Sequence, residues 1–182
     1  MRVITGTARG KTLRTLESLD VRPTSDRVKE AIFSIIQFDL IGSGVLDLFS
    51  GSGQLGIEAL SRGASYVTFV DNSKASIEVI KENINTTGLG QNSRVANMDA
   101  LDFLNGTKST FDIALLDPPY NKNILLKVLP LLETKMNSQG IVICEHENNL
   151  EFPKSVGRLE MKKQYKYGKI SLTSYVIKEE VL

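Results

Sequence analysis

The chain has 182 residues, 41% hydrophobic and 24% charged, with 22 basic against 21 acidic side chains. That balance excludes a disordered chain and predicts one globular domain burying about two-thirds of its unfolded surface. No apolar run reaches the roughly 18 residues of a membrane span, no leader-like apolar stretch precedes Arg9 and Lys11, and one cysteine, Cys144, with one histidine, His146, excludes an internal disulfide and a structural zinc site.

Met1 to Leu16 alternates loosely around Gly6 and Gly10 and predicts a short β-hairpin. Pro23, Thr24, Ser25 and Asp26 supply a helix start. Val28, Ala31, Ile32 and Ile35 then recur at the spacing of an amphipathic helix. From residue 44 strands and helices alternate. Strands are predicted over Val45–Phe49, Tyr66–Val70, Ser93–Ala96, Ile113–Leu116 and Ile141–Cys144. Helices are predicted over Leu55–Ser61, Ser73–Thr87, Ala100–Leu104 and Asn123–Lys135, the last kinked or broken at Pro130. Strands joined by helical crossovers imply an α/β fold with a mostly parallel, doubly wound sheet. Arg158–Tyr167 and Ile170–Ile177 flank Gly168-Lys169 and read as an antiparallel hairpin closing one sheet edge.

The first strand leads into Asp47-Leu48-Phe49-Ser50-Gly51-Ser52-Gly53-Gln54-Leu55-Gly56, and Asp71 lies at the end of the second. Gly51, Gly53 and Gly56 match GxGxxG in the strand–turn–helix setting of a nucleotide fingerprint, with an acid placed for ribose hydroxyls. The bland alternative is a tight turn with no ligand. Asp47 decides between ligands, because a carboxylate there repels a pyrophosphate and attracts a cation. S-adenosylmethionine, with its ammonium and sulfonium, fits better than NAD. Asp99, after the third strand, is placed for an adenine amine, although a helix N-cap would explain it too.

The fourth strand ends in Asp117-Pro118-Pro119-Tyr120. The prolines fix the direction of Asp117 and of the Pro118 carbonyl. Two acceptors gripping an aromatic amine favour a more nucleophilic nitrogen, with Tyr120 stacked on the base. Cys144 and His146 share a strand face and could form a nucleophile–base pair, but a lone buried cysteine beside a strand-end histidine reads as inert core. Glu145 and Glu147 read as edge or surface charges, with lining of the substrate side the alternative for a carboxylate at this strand end.

The charge is unevenly distributed. Residues 1–29 hold seven basic against three acidic side chains (+4), residues 30–150 eight against fourteen (−6), and residues 151–182 seven against four (+3). Solvated faces would explain this, but local patches set the field that a polyanion meets. Arg2, Arg9, Lys11, Arg14 and Arg22 are candidate RNA contacts. Lys162 to Lys169 interleaves bases with Tyr165 and Tyr167 in a pattern suited to phosphate contact and stacking.

LDLFSGSGQLGIEALSRGA, Asp71 and DPPY resemble class I S-adenosylmethionine-dependent methyltransferases acting on exocyclic amines. RVITGTARGKTL and RPTSDRVKEAIFSII resemble, more specifically, the RsmD-type bacterial 16S rRNA guanine-N(2) methyltransferases, over essentially the full length. The resemblance implies a seven-stranded Rossmann-like sheet and methylation of one guanine in small-subunit rRNA. It implies an RNA-engaging extension over residues 1–22 and a methyltransferase domain over 23–182. Asp117, Pro118 and Tyr120 become the amine-activating group, and Asp47, Gly51, Gly53, Asp71 and Asp99 cofactor contacts. Phe49, Gly56, Asn72 and Ala100 flank them as further cofactor positions. Asp71 stands where Glu is common in the family, and Tyr120 where Phe is frequent. The expected partner is 16S rRNA or an assembling 30S subunit, met in the cytoplasm by a monomer without metal. The rivals are an adenine target in RNA or DNA, an NAD-dependent oxidoreductase, and a noncatalytic RNA-binding module.

Overall fold

The computed structural model describes residues 1–16, 25–119, 124–148 and 150–178. Its elements are α1 (Asp26–Ile35), β1 (Gly44–Leu48), α2 (Gln54–Ser61), β2 (Tyr66–Asp71), α3 (Lys74–Thr87), β3 (Ser93–Asn97) and α4 (Ala100–Gly106). They continue with β4 (Phe111–Leu116), α5 (Ile124–Glu133), β5 (Met136–Glu147), β6 (Ser155–Val156), β7 (Leu159–Tyr167) and β8 (Ile170–Ile177). The strands form one sheet in the order β3-β2-β1-β4-β5-β8-β7-β6. β3 to β5 are parallel, and β8, β7 and β6 antiparallel. The α/β expectation therefore holds. The sheet has eight strands instead of seven because the two-residue β6 pairs with β7 at the edge.

Alternation along the central strands splits the core in two. Val45, Ile113, Leu115 and Ile143 face α1, α2 and α3, whereas Leu46, Leu48, Ala114, Leu116 and Val142 face α4 and α5. Two helices start where a serine satisfies an orphan backbone donor: Ser25 accepts from Val28 in α1, and Ser73 from Ser76 in α3. Among the described residues no helix is long and apolar enough to cross a membrane.

Three expectations change. The N-terminal segment is an abbreviated hairpin, with one antiparallel bridge, Arg2 to Thr12, and the amides of Val3, Gly10 and Leu13 donating to the carbonyls of Lys11, Val3 and Met1. The pairing goes no further because the amides of Ile4 and Thr5 donate to Glu58. α5 runs through Pro130 unbroken. Its Leu125, Val128, Leu129 and Leu132 are buried, while Pro130 lies on the solvent side, so the lost hydrogen bond is outweighed by packing. β5 extends from Met136 to Glu147, well beyond the predicted span. Phe111 pairs with Met136 before a register shift, and β8 pairs with β5 as far as Glu147.

Candidate active site

In a sheet of this order, successive strands are added outward on one side of β1 and then, from β4, on the other, and ligands meet the carboxyl ends of the parallel strands at that switch point. The turn after β1 is tightly held. Phe49 has φ 67°, a left-handed conformation that costs a side-chain-bearing residue about 1 kcal/mol or more. The surroundings impose it: the amides of Phe49 and Ser50 both donate to the Val70 carbonyl at 3.0 Å, and the Ser50 hydroxyl donates to the Asp47 carbonyl at 2.6 Å. Gly51 (φ 55°) and Gly53 (φ 77°) then turn the backbone into α2. Gly56 has a different task. A Cβ there would lie 2.3 Å from the Phe69 ring and 2.9 Å from Asp47 Oδ2, so its missing side chain lets α2 sit against the sheet.

Asp47 is 1% exposed and accepts from the Gly56 amide at 2.8 Å. Burial pushes its carboxyl up to about 8, against the stabilising Gly56 hydrogen bond and with smaller contributions from the charges of Asp117 and Asp71. Asp71 uses both oxygens on backbone donors, taking Gly51 at 2.8 Å and Ser73 at 2.9 Å. It thus ties the glycine turn to the end of β2, and each oxygen keeps a lone pair for a further donor. Asn72, next to it, is exposed. Asp99 is exposed and caps α4 by accepting from Leu101 at 2.8 Å, with Ala100 buried behind it.

Leu48 pairs with Leu116, and Leu116 with Cys144, so Asp117 leaves β4 beside the turn after β1 and beside Glu145 of β5. Asp117 is half-buried and Pro118 buried. Tyr120 lies outside the described residues. Glu145 is 2% exposed, which corrects the reading of it as an edge or surface charge: it lies inside the sheet, paired with Leu172 of β8 and one residue past the Leu116–Cys144 pair that ends β4. Cys144 is fully buried and its thiol pushed up by desolvation. His146 lies 2.7 Å from both the Glu147 carbonyl and the Thr173 hydroxyl, and burial lowers its pKa. Both lie in the core, and both His146 ring nitrogens are engaged by groups other than the Cys144 thiol.

The N-terminal loop is clamped to α2 by a buried network that the sequence did not reveal. Glu58 is wholly buried and accepts from the amides of Ile4 at 2.8 Å and Thr5 at 3.0 Å, and from Arg62 Nε at 2.7 Å. The buried Lys29 lies 3.7 Å from Glu58 and donates to the Arg2 carbonyl at 2.7 Å. Desolvation lowers the Lys29 pKa, with Glu58 opposing that shift. The only sequence signal was a Lys and a Glu inside otherwise apolar helix faces. This clamp leaves Arg2, Arg9, Lys11 and Arg14 exposed. Arg2 approaches Asp26 at 3.9 Å and Arg14 bonds Glu82. Arg22 lies outside the described residues. On β7, Tyr165 and Tyr167 pack partly against the core, with Lys163 over the Tyr165 ring, so these rings are less open to stacking than the sequence suggested.

The comparisons with known proteins agree with this geometry. Residues 1–176 match the family model described as Conserved hypothetical protein 95. YlbH of Bacillus subtilis, named as a candidate rRNA methyltransferase, is 37% identical over 180 residues, covering 96% of this chain and 98% of its own. The ribosomal RNA small subunit methyltransferase D of Haemophilus influenzae is 40% identical over 135 residues, 72% of this chain and 70% of that protein. The solved yhhF chain of Escherichia coli superposes with a TM-score of 0.86 at 29% identity, covering 99% of each chain. With a match along nearly its whole length, this chain belongs to the Conserved hypothetical protein 95 family, the family of ribosomal RNA small subunit methyltransferase D.

Proposed function

We propose that this protein transfers a methyl group from S-adenosylmethionine to the exocyclic N2 amine of a guanine in 16S rRNA, acting in the cytoplasm on the rRNA or an assembling 30S subunit. The observation that carries the reading is the meeting of two strand ends: the buried Asp47 and the Asp117-Pro118 corner lie close enough for the charge of one to perturb the other. A cation placed here stabilises the ionised form of Asp47 and gains a charge partner, whereas a pyrophosphate would hold that carboxyl neutral and gain none, which favours S-adenosylmethionine over NAD. The small-subunit rRNA methyltransferase names of the relatives support the substrate class.

The residues present fit that cofactor. Asp47 is buried and held protonated near neutrality, so an approaching ammonium would draw it into the charged form. Asp71 keeps acceptor capacity for ribose hydroxyls, and Asp99 for the adenine amine. When bound, the sulfonium supplies an already activated methyl group. Asp117 and the Pro118 carbonyl accept from the target amine and hold it in line, and such positioning supplies up to roughly 7–11 kcal/mol in well-oriented systems. The basic loop that Glu58 clamps to α2 presents Arg9 and Lys11 to the RNA backbone.

The test is to incubate the protein with labelled S-adenosylmethionine and 30S particles or rRNA from cells lacking the enzyme, then map the modified base. N2-methylguanine at one position of 16S rRNA is expected. Methylated adenine would overturn the target, and NADH binding without S-adenosylmethionine binding would overturn the chemistry.

A further inference from the structure

Among the described residues one buried side-chain polar atom has no hydrogen-bond partner: Oε1 of Gln54. Gln54 is 6% exposed and opens α2 directly after Gly53, beside the turn held by Asp71. A buried amide oxygen without a donor is costly, and a leucine or methionine of similar volume would avoid the cost. A position that carries the costlier residue at a ligand turn points to a donor that arrives with the ligand.

We propose that Gln54 reads the amino-acid end of the cofactor, its amide oxygen accepting from the α-ammonium and its amide nitrogen donating to the α-carboxylate. This rests on the cofactor reading above. An amide offers one acceptor and two donors, the complement of a zwitterion that carries both a cationic donor and an anionic acceptor. Asp47, two residues before the Phe49 turn, lies buried on the strand that leads into the same turn, where its carboxyl can pair with the ammonium once the cofactor is bound. The first turn of α2 favours the carboxylate, because the partial positive charge of a helix lies at that end. Gln54 thus discriminates the complete cofactor from adenosine thioethers that lack the amino acid.

The test compares wild type and Gln54→Leu by isothermal titration with S-adenosylhomocysteine and with 5′-methylthioadenosine, which has no amino-acid end. Thermal unfolding of both ligand-free proteins accompanies it. The substitution is expected to weaken S-adenosylhomocysteine about tenfold, equivalent to about 1.4 kcal/mol. It should leave 5′-methylthioadenosine unchanged and the ligand-free melting temperature equal or higher, since an unsatisfied buried atom is removed. Unchanged S-adenosylhomocysteine affinity overturns the proposal. So does a parallel loss of both ligands with a lower melting temperature, which marks a structural role. If Gln54→Leu does not fold, Gln54→Met matches the unbranched shape and is read by the same criteria. Wild type that binds neither ligand overturns the cofactor reading itself, a result distinct from a failure confined to Gln54.

Discussion

At the residue scale the site is built on two constraints around one carboxylate. A Cβ on Gly56 would lie 2.3 Å from the Phe69 ring, so Gly56→Ala forces α2 away from the sheet or displaces that ring. Overpacking of this kind costs about 1–3 kcal/mol, measurable as a lower urea midpoint at unchanged slope. Phe69→Leu in the same chain should recover part of the loss, because it withdraws the nearest ring atoms. Asp47 carries the pH dependence. Its carboxyl titrates at about 8 in the fold and at roughly 3.9 in an unfolded chain. Between those values the folded state holds the extra proton, so stability of the ligand-free protein falls as pH rises from about 4 to about 8. The slope reaches at most about 1.4 kcal/mol per pH unit, and above the upper value the whole penalty is present. Asp47→Asn should flatten that slope in urea titrations across the window. Affinity for the cationic cofactor runs the other way, rising with pH as the carboxylate forms, with proton release in calorimetry.

At the scale of elements, the N-terminal loop has little regular pairing of its own and borrows its order from α1 and α2. Val3, Ala8 and Leu13 enter the core, and Glu58 and Ser61 bind the loop at Ile4, Thr5, Thr7 and Ala8. Gly6 is required there, since a Cβ would collide with the Ser61 carbonyl at 1.7 Å. Glu58→Ala leaves the buried Lys29 without its carboxylate and the loop without its anchor. Breaking a buried pair from one side costs about 3–5 kcal/mol, and amide exchange at Ile4 and Thr5 should rise more than exchange in β1 and β4. Uniform acceleration across the molecule would mean that the clamp serves the whole domain and not the loop. The C-terminal strands show the opposite case. β7 and β8 match their predicted spans to within a residue, because a glycine turn between two β-rich runs sets its own register.

For the whole molecule, the near-neutral sum of charge conceals a division of labour. The acidic middle segment supplies the strand-end carboxylates, and the clamped N-terminal loop carries exposed Arg9 and Lys11 outside that field. Replacing both by Gln should weaken RNA binding and lower the magnitude of its log-salt slope by about 0.7–0.9 for each phosphate that is no longer neutralised. Cofactor affinity by calorimetry should stay as in wild type, since neither residue belongs to the turn after β1. Loss of both affinities together would point to damage of the loop clamp instead.

The sequence by itself determined the alternation of strands and helices, the carboxyl-edge position of Asp47, Asp71 and Asp117, and the glycine turn, because apolar period, capping residues and glycine placement are local properties of the chain. Gly51 and Gly53 were legible as turn residues for that reason. Tertiary structure alone decided that Gly56 serves packing against Phe69, that Glu145 is covered, that α5 continues through Pro130, and that Lys29, Glu58 and Arg62 form the anchor of the N-terminal loop. These depend on what a neighbour distant in sequence brings into contact. Burial of a charge or of an amide oxygen such as that of Gln54 is a property of the assembled core, and no local pattern encodes it.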